Sequence, residues 1–304
     1  MKGSYKKAMK LIFGLVIITI LFTNIGIYDI LGRLASINLL YLPAIVAIYV
    51  VVFIIGAFNI NLLLIPIKHM RFWDIFRYYC LSWSIGLVVP GKIGEFSLVY
   101  FLRKNEDIPI GKSAAVSLMD KFITIIIMLL IASFGLFIFF DQGTATKVFL
   151  ASLAFLLGAA VLVFTDLGRN LIKRFILRNH SGIFKGFSEL MNLYFRTHQD
   201  IIYLNLFLTF AKYLFTSLSG YLLFLSFGIQ VSFLYILVIV TTANLLSLIP
   251  ITIDGLGIRE SVAVFLYSKI GVMPAVVGGF YLLSLIIKYL YALVFFSRFS
   301  SLRK

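Results

Sequence analysis

Nine ionisable residues stand inside otherwise apolar stretches of the chain, and they fall in groups. Lys92 lies three residues before Glu95 in Pro90-Gly91-Lys92-Ile93-Gly94-Glu95. Asp254, Arg259 and Glu260 share Asp254-Gly255-Leu256-Gly257-Ile258-Arg259-Glu260, and Asp120-Lys121, Lys212 and Lys288 interrupt long apolar runs. A charge at the centre of a bilayer costs ~2.5–3.5 kcal/mol on insertion scales, so such groups face a cavity or one another. With five bases against four acids, two readings are open. In one, the ions pair internally and lock the segments that carry them. In the other, the bases, helped by exposed amides at helix N-termini, hold an anionic head group. The second is favoured, because buried ion pairs seldom add net stability over apolar packing. A carboxylate in such a cavity could also carry a proton, as intramembrane acids do in pumps and transporters.

Other chemistries find little support. Neither a phosphate-binding Gly-x-x-x-x-Gly-Lys-Ser/Thr loop, nor a Gly-x-Ser-x-Gly elbow, nor His-Glu-x-x-His occurs. Cys80 is the sole cysteine, and His69, His180 and His198 are scattered, so no metal site and no cofactor are expected. No catalytic residue is assigned. An intramembrane transferase using acids such as Glu95, Asp254 and Glu260 on a lipid phosphate stays open as the alternative.

The elements that must position these residues follow from composition. Of 304 residues, 62% are apolar and 13% charged, where a soluble domain has about 45–50% and ~25%. A water-soluble globule is excluded. Apolar runs of about 20 residues match a ~30 Å hydrocarbon core, and stretches such as 122–140 do not alternate as barrel strands must. The expected fold class is an all-α polytopic membrane protein. Full spans are read near 11–31, 39–65, 113–140, 147–166, 201–227 and 274–296. The remaining apolar stretches, 75–102 and 231–270, are each broken near the middle by Pro and Gly beside charges. Such freed backbone is tolerated at membrane depth only against protein or a wet cavity, so both read as re-entrant hairpins.

The excess of 27 Lys and Arg over 12 Asp and Glu would point a soluble protein toward nucleic acid. Here it marks cytoplasmic loops. With the N-terminus inside, the basic segments 66–77, 103–112, 167–200 and 297–304 fall in the cytoplasm, while the external connections hold a single cation, Arg33. Full crossing by the hairpins would send the six Lys and Arg of 167–200 outside. N- and C-termini are therefore expected in the cytoplasm, with the protein in the cell membrane and no nucleic-acid partner. Asn179-His180-Ser181 matches a glycosylation pattern but lies on the cytoplasmic side.

The two hairpins are alike. Leu87-Val88-Val89-Pro90 corresponds to Ser247-Leu248-Ile249-Pro250, and each hairpin is followed by a long helix with a base, Lys121 or Lys288, at a similar distance. In this topology a unit of span, span, hairpin and span is followed by the same order entering from the opposite side. The expectation is an inverted repeat: 1–166 as the first membrane repeat, 167–200 as a basic amphipathic connector, and 147–304 as the second repeat. Inverted repeats with broken helices at mid-membrane are an architecture of secondary transporters. The connector, with Arg169, Lys173, Arg174 and Arg178 among apolar residues, suits either an anionic leaflet surface or a plain link between repeats.

These motifs, Pro90 through Glu95, Asp120-Lys121 and Asp254 through Glu260, resemble the lysylphosphatidylglycerol synthase transmembrane-region family, also called flippase-like integral membrane proteins. The resemblance covers nearly the whole chain. It implies a lipid translocator: in bacterial synthases this region is associated with moving aminoacylated phosphatidylglycerol between leaflets, and archaeal relatives are tied to lipid-linked sugars. The chain departs from the synthases in having no aminoacyl-transfer domain, so lipid aminoacylation is not expected. Asp120-Lys121 stands where an acid–base pair, commonly Glu-Arg, is usual. The expected function is movement of an anionic phospholipid or polyprenyl-phosphate-linked sugar through a charged cavity between the hairpins. Pro90, Lys92, Gly94, Glu95, Asp120, Lys121, Asp254, Gly257, Arg259, Glu260 and Lys288 are the candidate substrate-binding residues, with Lys92 and Arg259 on phosphate. Besides the lipid and membrane, a homodimer or a separate glycosyltransferase is compatible as partner. A non-catalytic partner of that transferase is a third reading.

Overall fold

The computed structural model describes residues 2–89, 93–164, 181–249 and 251–299. Among them are twelve α-helices, two short 3-10 turns and no strand ladder. The helices are α1 (Lys2–Ile25), α2 (Ile27–Ala35), α3 (Leu42–Leu64), α4 (Phe72–Gly86), α5 (Ser97–Glu106), α6 (Ile110–Phe139), α7 (Gln142–Phe164), α8 (Ser181–Arg196), α9 (Gln199–Ser226), α10 (Phe233–Leu246), α11 (Ile258–Lys269) and α12 (Pro274–Phe299). Four are long and apolar enough to cross a bilayer: α3 with its preceding turn, α6, α9 and α12, at 26 to 30 residues each. A rise of ~1.5 Å per residue makes these helices longer than the hydrocarbon core is thick. The expected span over 147–166 corresponds to α7 as far as Phe164.

The span expected over 11–31 is not straight. α1 and α2 meet at an 80° bend. Gly26 turns the chain there at φ +99°, and a Cβ on it would lie 2.7 Å from Asp29 Oδ2. Asp29 sits in the first turn of α2, where a carboxylate faces the positive end of the helix dipole. Periodicity could not reveal this bend, because the passage from an apolar run to the stretch with Asp29 and Arg33 reads equally as the end of a straight span.

Both broken segments fold back as hairpins. α4 packs on the 3-10 turn Ile93–Phe96 and on α5, and α10 packs on α11. The first helix of each closes in the same way: the amides of Leu87 and Ser247 reach back four residues, to Trp83 and Ala243, and those of Val88 and Leu248 reach back three. Each unit also packs on the other in the same sense. α4 lies against α12, α10 lies against α6, and α3 lies along α9. One hydrophobic core gathers round the first hairpin, with Leu63, Ile75, Leu102, Met119 and Tyr194. A second gathers round the other, where Phe224 stacks on Phe280 at 4.7 Å and meets Tyr267 edge-on at 4.9 Å.

The α3–α9 contact is polar at its centre. Asn205 Nδ2 donates to the Asn59 carbonyl at 3.0 Å, and Asn59 Nδ2 donates to Thr209 Oγ1 at 2.9 Å, all fully buried. Interhelical hydrogen bonds inside membranes contribute ~0.6 kcal/mol on average and up to about 1.7. Asn205→Leu is therefore expected to lower unfolding stability in detergent by about 1 kcal/mol, measured by titration with a denaturing detergent, with the helix content unchanged.

In the connector, residues 165–180, including Arg169, Lys173, Arg174 and Arg178, lie outside the described residues. α8 is described, and its apolar face turns inward: Leu190, Met191 and Tyr194 are buried, and the Tyr194 hydroxyl donates to the Leu63 carbonyl. Leu190, Met191 and Tyr194 of this part of the connector pack on the bundle, while Phe195 is exposed.

Candidate functional site

Each hairpin break carries a cluster of opposite charges. At the first, Pro90 and Lys92 fall outside the described residues. The chain returns at Gly94, where a Cβ would lie 2.6 Å from the Ile85 carbonyl oxygen, so only glycine lets the returning turn rest on the end of α4. That contact aims Glu95 at α6, where its carboxylate accepts from the Lys121 ammonium. Lys121 Nζ also lies 3.3 Å from Asp120 Oδ2, so one ammonium faces two carboxylates. Asp120 is almost fully buried, whereas the Lys121 side chain keeps 31% and Glu95 14% of their exposure. Asp120 belongs to this cluster.

Tyr79, Ser82, Trp83 and Ser117 join Glu95, Asp120 and Lys121 around a cavity of about 10 Å³. That is room for about one water molecule. Asp120 Oδ1 and the hydroxyls of Ser82 and Ser117 have no partner within the protein among the described residues. Buried oxygens of this kind call for a water or a ligand.

The second break has a different build. Asp254 holds a left-handed backbone at φ +47°, uncommon outside glycine and tolerated by Asp. Gly255 follows at φ +71°, and its Cβ would overlap Ser247 at 2.2 Å, so this turn too rests on the end of the preceding helix. Gly257, at φ +84°, opens α11; its amide donates to Glu260 Oε2 at 2.6 Å. Glu260 thereby caps its own helix. Arg259 bonds to both the backbone carbonyl and the carboxylate of Asp254, the latter at 3.2 Å, and its side chain is only 3% exposed. Behind it, Arg259 and Lys288 line a second cavity of about 60 Å³ with Tyr49, Ser219, Tyr281 and Ser284. Arg259 Nε, Glu260 Oε1 and the Tyr281 hydroxyl have no protein partner among the described residues.

The structure therefore brings Gly94, Glu95, Asp120 and Lys121 together, and separately Asp254, Gly257, Arg259, Glu260 and Lys288. The two cavities share no lining residue. Where the sequence led us to expect a single cavity between the hairpins, the described residues of the two clusters line two separate small ones. Lys212 is half-buried, with its ammonium 5.9 Å from the Tyr213 ring. Cys80 is buried and His69 exposed, while His180 and Asn179 lie outside the described residues. Tyr79, Ser82, Ser117, Tyr49, Tyr281 and Ser284 were not anticipated. In a chain with 16 Tyr and many helical Ser, type alone carries no signal. Gly14 was missed as well: a Cβ on it would lie 3.2 Å from the Leu256 carbonyl oxygen, so glycine lets α1 rest close against the second break.

Such a molecule is a polytopic helical membrane protein with two interrupted, charge-bearing hairpins. A model of the lysylphosphatidylglycerol synthase TM region matches residues 8–295, and the chain belongs to that family. It is also 24% identical, over 206 residues, to a UPF0104 membrane protein of Methanothermobacter thermautotrophicus; the match covers 60% of this chain and 61% of that protein.

Proposed function

We propose that the protein moves a lipid with an anionic head group, a phospholipid or a polyprenyl-phosphate-linked sugar, between the leaflets of the cell membrane. The observation that carries this reading is the placing of one buried acid–base cluster at each of two back-folded hairpins, each beside a small polar cavity. The exchanged packing, α4 on α12 and α10 on α6, supports two units related as an inverted repeat, and the basic segments of the sequence support both termini in the cytoplasm. Two such units can trade conformations and open a site alternately to each side. Cluster exposure assigns the roles. The Lys121–Glu95 pair is partly exposed, so a phosphate can take the place of the carboxylate on Lys121. Arg259, enclosed by Asp254, holds the second break rigid, with its Nε and Lys288 presented to the cavity. Lys92, three residues before Glu95 in the sequence, is proposed to meet phosphate as well. Tails stay in the bilayer.

The test is a leaflet-exchange assay in proteoliposomes with labelled anionic phospholipids and lipid-linked sugars. The wild type is expected to exchange at least one of them about tenfold faster than Glu95→Gln/Glu260→Gln, the factor that ~1.4 kcal/mol of barrier supplies. Equal rates for every lipid would sink the proposal. A covalently altered lipid in the mass spectrum would favour a transferase instead.

A further inference from the structure

A groove of about 590 Å³ runs between α6, α7, α10 and α11, with no lining residue that belongs to either charge cluster. Its size falls within the ~300–1,000 Å³ of ordinary ligand sites. Its walls are Leu129, Phe139, Val238, Leu245 and Leu266, with Gly135 letting Val238 close against α6. The polar atoms of such a wall are few: the Ser152 hydroxyl, for one, already donates to the Val148 carbonyl. One cation stands at the groove's edge. Lys269, the last residue of α11, is exposed, and its ammonium lies 4.6 Å from the centre of the Phe140 ring and 5.1 Å from that of Phe265. Both rings line the groove. Among the described carboxylates none is paired with Lys269.

We infer that this groove is a binding site for an anionic phospholipid, one acyl chain lying among α6, α7, α10 and α11 and the phosphate on Lys269. The groove is apolar along its length and cationic at one end, which is the polarity of such a lipid. In hydrocarbon a groove of this kind fills with chains, and the positioned ammonium selects the charge of the lipid that fills it. Two aromatic faces hold that ammonium at the groove's end without neutralising it, as a carboxylate would. The site is independent of transport: it has no residue in common with either charge cluster, so a lipid here is held from the bilayer side whether or not the hairpins move one.

The experiment uses the full chain in nanodiscs of phosphatidylcholine and phosphatidylglycerol, with a photoactivatable group on the acyl chain of one lipid or the other. Crosslinks from the phosphatidylglycerol probe are expected on peptides bearing residues 129–140 and 238–266. Lys269→Gln should lower them about fivefold, the factor that ~1 kcal/mol of attraction between one lysine and an anionic lipid supplies, and leave the phosphatidylcholine probe unchanged. Ser152→Trp, which fills the groove, should remove the crosslinks of both. The inference is overturned if the two probes label the groove equally in the wild type, if Lys269→Gln changes neither, or if protein–protein crosslinks occupy these peptides instead. Leaflet exchange measured on the same Lys269→Gln sample is expected to persist; its loss with labelling intact would count against the independence of the two sites.

Discussion

Lys121→Met is expected to lower the initial rate of leaflet exchange by about 10- to 150-fold, while Lys121→Arg retains part of it. Lys121 is the single base among two carboxylates, 3.3 Å from Asp120 and bonded to Glu95, and among the described residues it is the cation of that cavity. A hydrogen bond to a charged group contributes ~1.5–3 kcal/mol, and the tenfold-per-1.4 kcal/mol relation turns that into the range given. Glu95→Gln should cost less than Lys121→Met, because Lys121 keeps Asp120 and its charge. Proteoliposome rates for the three variants, normalised to inserted protein, measure this order. If Lys121→Met exchanges lipid at the wild-type rate, the first cluster only locks the hairpin, as the internal-pairing reading holds.

The second large effect falls on stability. Arg259→Met removes the base that pairs with the buried Asp254 carboxylate, and removing one partner of a buried pair costs about 3–5 kcal/mol. Arg259 is 3% exposed and holds Asp254 through both its carbonyl and its carboxylate, so the left-handed turn loses its tie as well. The variant is expected to unfold at markedly lower temperature in detergent, and Asp254→Asn added to it should recover part of the loss. Heat-induced loss of the monodisperse peak in size-exclusion chromatography reads the effect. A melting point within error of the wild type would show that Arg259 is not a structural tie. Under the proposed function the contrast between the clusters is one of function against scaffold: the partly exposed pair is expected to govern rate and the enclosed one fold.

Much of the architecture was legible because the bilayer forces it. Every backbone polar group in hydrocarbon must be satisfied locally, so long apolar runs become helices. Residues 39–65, 113–140, 201–227 and 274–296 accordingly appear as α3, α6, α9 and α12 within a few residues. The breaks were legible for the same reason inverted: Pro, Gly and charge together, as at Asp254 to Glu260, cannot sit in an uninterrupted span. The bend at Gly26 was not legible, since the change there to a stretch with Asp29 and Arg33 reads equally as the end of a straight span. Nor was the inward face of α8. Leu190, Met191 and Tyr194 form a stripe that a leaflet or a helix bundle would accept equally, and only the proximity of α3 and α6 chooses.

By itself, then, the sequence determined the class of protein, the two charge-bearing places where its helices break and the few charges that membrane burial makes expensive. The tertiary structure alone decided which of those charges meet. Lys121 faces Glu95 from 26 positions away because Gly94 can lie against the end of α4. Arg259 is kept by Asp254, five residues before it, because a left-handed turn folds the chain back on itself. Hydropathy is a property of each segment and can be read locally. The pairing of charges depends on side-chain direction and close approach between segments, and these exist only once the helices have packed.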